Sequence, residues 1–324
     1  MAMTVAVTGA TGHVGANLVR ALLAQGRSVR ALDLQDGQAL DGLDVELIEV
    51  DVRDPDVLRR AVDGAEVVYH LASHISLLMN EWPLLQSINV IGVRNVVDAC
   101  LSCGVRRLVH FSSIHALTQE PLHVPIDESR PLVESRRYPP YDRSKAAGER
   151  EVCKGIERGL NAVIVNPTGI LGPHDYGPSH FGEALLGLAH RRLPVLVAGG
   201  FDWVDVRDVV DGAIRAEERA PSGAKYILSG QWVSMRDVAA MVAEITGVPP
   251  PRFLCPMWLA RVSAPLATGL ARLRGKRPLY SGVSLSALRG NRNISHDRAS
   301  RELDYHARPF RQTLVDTLRW FECG

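Results

Sequence analysis

Two side chains that could exchange protons, Tyr141 and Lys145, stand four residues apart in this sequence. On a helix, positions i and i+4 lie on the same face. A tyrosine phenol ordinarily has a pKa of about 10, and a neighbouring ammonium lowers it because it favours the charged form. The spacing predicts a general acid–base pair, although the same spacing also occurs on ordinary surface helices.

Ser113 is a third candidate, because it follows a strand predicted at Arg107–Ser112. Ligands of parallel sheets bind beyond the carboxyl ends of the strands. A serine hydroxyl there can hold a substrate carbonyl oxygen beside the tyrosine, whereas Ser112 is expected to satisfy local backbone groups. The sequence therefore predicts Ser113, Tyr141 and Lys145 as one catalytic set.

Alternating strands and helices must position this set. The pattern predicts an α/β fold with a doubly wound parallel (Rossmann) sheet in residues 1–170, to which residues 204–230 return. Residues 171–203 and 231–324 are predicted to form a smaller, mostly helical substrate lobe. Its helices are expected at Met235–Ile245, Trp258–Leu273 and Phe310–Phe321.

A glycine-rich turn, Thr8–Gly15 with the sequence TGATGHVG, lies between the first strand and the first helix. Such a turn lets a pyrophosphate approach the backbone at a helix N-terminus. Asp33 ends the second strand, where a carboxylate accepts hydrogen bonds from a ribose and repels a 2′-phosphate. NAD is the predicted cofactor, and Arg30 and Arg53 leave NADP open.

Composition limits the kinds of partner that the chain is expected to bind. The 324 residues carry a net charge of +1, which argues against nucleic acid as the main partner. No run of about 20 apolar residues predicts a membrane span, and no signal peptide is apparent. Five cysteines do not make a disulfide framework, so a cytoplasmic location is expected. The histidines show no metal-binding spacing.

Together the motifs resemble the extended short-chain dehydrogenase/reductase family, and they occur in that family's order. The resemblance implies that Tyr141 is the acid/base, that Lys145 lowers its pKa and binds the nicotinamide ribose, and that Ser113 orients the substrate. It also implies a homodimer. The motifs are T-G-x-x-G-x-x-G, Asp33, Asp51-Val52, His70-Leu71-Ala72, Asn89-Val90, Ser112-Ser113, Tyr141-x-x-x-Lys145 and Asn166-Pro167-Thr168-Gly169.

The resemblance also implies contacts with cofactor and substrate. The expected cofactor contacts are Gly9, Thr11, Gly12, His13, Val14, Gly15, Asp33, Asp51, Val52, Leu71, Ala72, Ser73, Asn89, Tyr141, Lys145, Pro167, Thr168, Gly169 and Ile170. The expected substrate contacts are His74, Ile75, His115, Asn166, Tyr176, Phe181 and Trp203. No metal ligand is predicted.

Three functions remain open on the sequence alone. A nucleotide-sugar epimerase or dehydratase needs cations for its diphosphate, and Phe201 stands where related UDP-sugar epimerases usually carry an arginine. Reversible reduction of a ketone or aldehyde on a hydrophobic small molecule is therefore favoured. A non-catalytic NAD(P)-sensing regulator is the third alternative, and such proteins often lose the Tyr/Lys pair that this chain keeps.

Overall fold

The structure is a computed structural model that describes residues 3–34, 37–193, 195–263 and 282–323. Its strands are β1 Thr4–Thr8, β2 Ser28–Asp33, β3 Glu46–Glu49, β4 Val67–His70, β5 Arg107–Phe111, β6 Ala162–Pro167, β7 Gly169–Leu171, β8 Val195–Val197, β9 Gly200–Asp205, β10 Lys225–Leu228, β11 Gln231–Ser234 and β12 Phe253–Cys255. Its helices are α1 His13–Ala24, α2 Pro55–Val62, α3 Trp82–Gln86, α4 Val93–Ser102, α5 Pro140–Glu157, α6 His180–Ala189, α7 Val206–Arg219 and α8 Met235–Thr246, followed by Gly282–Ala287, Asp297–Leu303 and Phe310–Cys323.

Seven parallel strands form the central sheet, in the order β10-β6-β5-β4-β1-β2-β3. The central strands are apolar and buried, as expected when helices cover both faces of a sheet. Helices α1 and α7 pack together on one face, and α4 lies between α2 and α5 on the other. This arrangement confirms the predicted doubly wound α/β fold.

A second lobe contains two small sheets beyond the carboxyl edge of the main sheet. Strand β9 pairs with β7 and β11, and β8 pairs with β12. Helices α6 and α8 and the helix Phe310–Cys323 share an apolar core with these strands. Within 204–230, α7 packs on the main sheet and β10 joins it, while residues 204–205 belong to β9. Local periodicity predicts a strand but not its pairing partner.

One long helical run, Trp82–Ser102, has the length and apolar composition of a membrane span, and half of it is buried. It packs on α2 and α5, as a core helix of the main domain does. Its middle part, Ser87–Gly92, is a π-helix that contains Asn89. A π-helical segment of this kind often accompanies a functional site.

The helix predicted at Trp258–Leu273 is described only in part, since residues 257–263 are helical and the remainder lies outside the described residues. The basic, amphipathic stretch that the sequence shows at 260–277 also lies mostly outside them. The other late helices occur close to their predicted positions.

Candidate active site

A cavity of about 450 Å³ lies between the carboxyl edge of the main sheet and the second lobe. Ser113, Tyr141 and Lys145 all line it, so the structure brings the predicted catalytic set together. The predicted cofactor residues that also line it are Gly9, Gly12, His13, Val14, Gly15, Leu71, Ser73, Pro167, Thr168, Gly169 and Ile170.

The glycine turn is built for close approach of a ligand. Gly9 has a φ of +69°, and a Cβ there would lie 2.7 Å from the Ala72 amide nitrogen. A Cβ on Gly15 would lie 2.1 Å from the Gly9 carbonyl oxygen. At Gly12 the nearest atom would be 3.4 Å away, and no side chain caps the N-terminus of α1. The first amides of α1 therefore remain available to a phosphate, which fits the pyrophosphate of a dinucleotide.

Alanine substitutions should distinguish the glycine that a phosphate must approach, Gly12, from the glycine that the backbone packing requires, Gly15. We expect Gly12→Ala to fold with near-normal stability and to bind NAD⁺ at least about tenfold more weakly, because its methyl group occupies the phosphate approach. Gly15→Ala should lower the free energy of unfolding by roughly 1–3 kcal/mol, because its methyl group overlaps the Gly9 carbonyl. Chemical denaturation and calorimetric titration with NAD⁺ measure both effects. Equal stability of the two variants would contradict this assignment.

Asp33 is held at the end of β2 by the glycine turn. Its Oδ2 accepts hydrogen bonds from the Thr11 amide (2.8 Å) and the Thr11 hydroxyl (2.7 Å). The two arginines that could favour a 2′-phosphate are engaged elsewhere. Arg30 binds Glu46 and two backbone carbonyls, and Arg53 binds Asp51. Asp33 is therefore held by the glycine turn itself, whereas both arginines already have other partners.

Tyr141 lies in the first turn of α5, since the helix begins at Pro140. Burial raises the pKa of Tyr141 to about 12, although a hydrogen bond with the Ser113 side chain acts in the opposite direction. This shift is a correction to the prediction of a lowered phenol pKa, because desolvation outweighs the favourable contact. The phenol is therefore protonated at neutral pH.

Lys145 lies one turn further along α5 and is buried. Its Nζ donates to the Phe111 carbonyl oxygen at 2.8 Å, at the end of β5. Burial lowers the pKa of Lys145 to about 8, against the opposing effect of Glu149. Burial of the charged form of Lys145 in this site therefore costs free energy.

The remaining predicted cofactor residues do not line the cavity. Thr11 and Asp33 are hydrogen-bonded to each other, and the Ala72 backbone lies against Gly9. Asp51 pairs with Arg53. Val52 packs on Gly92. Asn89 is buried and ties the end of β4 to α5 through hydrogen bonds with Ser73, His74 and Ser144.

Three of the predicted substrate residues, Ile75, His115 and Phe181, line the cavity. The His115 ring lies 6.0 Å from the Tyr141 ring, and its Nδ1 is 3.5 Å from Asp142. Although burial disfavours the charged ring, Asp142 raises the pKa of His115. His115 therefore lies beside Tyr141 in the wall of the cavity.

The other four predicted substrate residues lie elsewhere. Their positions are fixed by contacts between distant segments, which the sequence pattern does not reveal. His74 pairs with Glu81, Asn166 donates to the Ser113 carbonyl and to Glu149, Tyr176 contacts Arg20 and Trp320 outside the cavity, and Trp203 is packed in the core of the second lobe.

Sequence reasoning missed most of the cavity wall. Several apolar residues of the second lobe line it, as do polar residues such as Gln119 and Asn291. The missed apolar residues of this lobe include Leu193, Val197, Met235, Val283 and Leu288. The only available signal was the apolar character of the segments after residue 190. Within the part of the chain that the structure describes, no cluster of three or more His, Cys, Asp or Glu residues is suited to a metal ion.

Comparison with known proteins gives consistent matches over the chain. A model of the NAD dependent epimerase/dehydratase family matches residues 5–228. Sterol demethylase protein B of Methylococcus capsulatus is 36% identical, over 98% of both chains. A Synechocystis protein provisionally named a dihydroflavonol 4-reductase is 33% identical, over 98% of this chain and 94% of that protein.

A solved structure matches equally well. The crystal structure of gox2253 is similar with a TM-score of 0.86 and 34% identity, and the match covers 100% of this chain and 98% of that chain. Both lobes are therefore included in the similarity.

Proposed function

The chain belongs to the NAD-dependent epimerase/dehydratase family, and from this premise we propose that it is an NAD-dependent dehydrogenase or reductase. It interconverts an alcohol and its ketone or aldehyde on an apolar small molecule. The observation that carries this proposal is that Ser113, Tyr141 and Lys145 open into a cavity whose far wall is apolar.

The charges around the cavity favour this function over nucleotide-sugar chemistry. Lys145 is the one lysine or arginine among the described residues that line the cavity, and Asp142 and Asp202 line it too. A nucleotide diphosphate needs cations, preferably a bidentate arginine, near its phosphates. Phe201 stands against Phe181 with ring centroids 5.0 Å apart, so this part of the wall offers aromatic surface instead. The name of the relative sterol demethylase protein B also fits a greasy substrate.

The glycine turn would hold the pyrophosphate of NAD, Asp33 the adenosine ribose and Lys145 the nicotinamide ribose. When bound, the nicotinamide ring supplies a site that gives or accepts hydride. Ser113 holds the substrate oxygen beside Tyr141. Because the Tyr141 phenol is protonated at neutral pH, it can donate its proton to that oxygen during reduction. In the direction of oxidation the phenol must first release its proton to solvent, and the phenolate then takes the proton of the substrate hydroxyl.

Asp33→Ala should change the choice of cofactor. We expect NAD⁺ binding to weaken about tenfold and NADP⁺ binding to weaken much less or to improve, because the carboxylate that pairs with the ribose and repels a 2′-phosphate is gone. Calorimetric titration with each cofactor measures the ratio. Asp41→Ala, which changes a carboxylate in the loop after β2, is the control. An unchanged ratio would remove Asp33 from cofactor recognition.

The function itself is tested by supplying NAD⁺ or NADP⁺ with aliphatic, aromatic and sterol secondary alcohols, and separately with UDP-sugars. We expect reduced nicotinamide to accumulate with an apolar alcohol. Conversion of a UDP-sugar without net change of the cofactor would make the protein an epimerase. Tight cofactor binding with no turnover of any compound would favour a regulator.

We also propose a function for each lobe and an oligomeric state. Residues 1–170 bind the cofactor, and 171–203 and 231–324 bind the substrate. The protein is expected to be a cytoplasmic homodimer that pairs through the helices of Asn89 and Tyr141. Leu84 and Ile91, which are exposed on the run Trp82–Ser102, support that interface.

A further inference from the structure

Two histidines lie next to each other behind the catalytic edge of the sheet. His70 and His110 are in register on the neighbouring strands β4 and β5, and each is 1% exposed. Their rings stack with centroids 5.4 Å apart and planes 28° apart. This contact follows directly from the strand register, because the side chains of residues paired across adjacent strands project to the same face of the sheet. The mechanism described above uses neither ring.

The hydrogen bonds of Thr8 determine the tautomer of His70. The Thr8 hydroxyl oxygen accepts from the amides of Leu71 and Ala72, both at 3.2 Å. Both of its lone pairs are thereby used, so the hydroxyl proton must point to His70 Nδ1, which is 2.7 Å away. His70 Nδ1 is therefore an acceptor, and the neutral ring carries its proton on Nε2.

Three ring nitrogens of the pair have no hydrogen-bond partner among the described residues: His70 Nε2, His110 Nδ1 and His110 Nε2. Leaving a buried donor or acceptor unsatisfied costs free energy, because the group loses its hydrogen bonds to water. Most buried polar groups in native proteins have a protein or water partner, so these three ring nitrogens need an explanation.

Lys145 approaches the pair from α5, because its Nζ binds the carbonyl of Phe111, the residue that follows His110 on β5. Burial lowers the pKa of both rings, and the Lys145 charge lowers it further. The Lys145 ammonium has three donors, and one goes to the Phe111 carbonyl. The other ionisable groups around it are Tyr141 and Glu149 on its own helix. Beyond these, the His115–Asp142 pair lies beside Tyr141, and Lys225 pairs with Glu149.

We propose that His70 and His110 are positioning residues for Lys145, forming an uncharged floor that solvates its ammonium through one ordered water. Such a water can accept from the Lys145 ammonium and from His70 Nε2 and can donate to a His110 nitrogen, so the pair solvates the ammonium without adding a competing charge. This inference rests on the proposed function only in giving Lys145 a role at the cofactor. Its tests require no substrate.

The first test determines the tautomer and the protonation state of both rings by NMR of isotope-labelled histidine in the full-length protein. We expect His70 to show an unprotonated Nδ1 and a protonated Nε2. Both rings should remain neutral from pH 5 to pH 9. His306→Gln, which removes an imidazole with 80% side-chain exposure, is the control for assignment. Protonation of either buried ring within this range, or the opposite tautomer of His70, would overturn the proposal.

The second test follows Lys145 by NMR of isotope-labelled lysine in variants of His110. His110→Phe keeps an aromatic ring and removes no hydrogen bond made within the described residues, so it isolates the loss of the polar floor. We expect the pKa of Lys145 to fall by about one unit, a tenfold fall in the ratio of its charged to its neutral form. His110→Gln, which keeps a donor and an acceptor, should restore it.

A merely structural role predicts a different result. If His110 only filled space, His110→Phe would leave the Lys145 pKa unchanged, and the proposal would be wrong. The wild-type titration of the histidines still supports or overturns the proposal if His110→Phe fails to fold. A protein that passes both tests but turns over no substrate would contradict the proposed function and leave this inference standing.

Discussion

Tyr141→Phe is expected to lower kcat by about 10²- to 10⁴-fold, the range that general acid–base catalysis contributes. The substitution removes the hydroxyl that gives or takes the proton and keeps the ring. NAD⁺ affinity should change little, because the glycine turn, Asp33 and Lys145 remain. Steady-state kinetics with the alcohol found in the substrate screen, and calorimetric titration with NAD⁺, measure the two parts separately.

Tyr138→Phe is the matched control for this experiment. Tyr138 stands three residues earlier in the chain and does not line the cavity, so its hydroxyl should be dispensable for turnover. Thermal unfolding of both variants checks that each is folded. Full activity of Tyr141→Phe would remove the tyrosine from the reaction, whatever its position in the cavity.

The parts of the site that were predictable are those specified by local sequence. The turn from Gly9 to Gly15 combines a short apolar strand, glycines and a periodic helix, and no distant residue is needed to form it. Tyr141 and Lys145 likewise share a face because both belong to one helix. The alternation of strands and helices then determined the parallel sheet, because consecutive units of this kind have few alternative topologies.

The parts that were not predictable depend on contacts between distant segments. Leu193, Met235 and Leu288 reach one cavity only after the second lobe folds over the sheet. Trp203 has the character of a pocket residue but enters the core of that lobe. The raised pKa of Tyr141 has the same origin, since the burial that opposes ionisation comes from the whole cavity.

Lys145 is costly to the stability of the protein, because the fold buries a charge that the proposed function requires. Its pKa falls from 10.5 to about 8 on burial. At about 1.4 kcal/mol per unit, keeping the ammonium buried costs up to roughly 3 kcal/mol at neutral pH. An apolar side chain at this position would leave the Phe111 carbonyl without its donor, which would take back about 1 kcal/mol. The residue is therefore expected to destabilise the fold that it serves.

Lys145→Met should accordingly raise the free energy of unfolding at pH 7 by roughly 2 kcal/mol while weakening NAD⁺ binding and turnover. The gain should shrink as the pH rises from 8 towards 10.5. In that range the unfolded wild-type chain binds more protons at this lysine than the folded one does, so wild-type stability increases with pH. Urea denaturation of both proteins across this range measures the difference.

Lys154→Met is the control on the same helix, because the Lys154 side chain is 61% exposed and paired with Glu151. Its effect on stability should stay within about 0.5 kcal/mol. If Lys145→Met were less stable than wild type at pH 7, the ammonium would be stabilised by its surroundings more than burial opposes it. If it were more stable and still bound NAD⁺ normally, Lys145 would be a buried charge without a role at the cofactor. Stabilisation together with weakened binding would show that this chain gives up stability to hold a cation at its catalytic tyrosine.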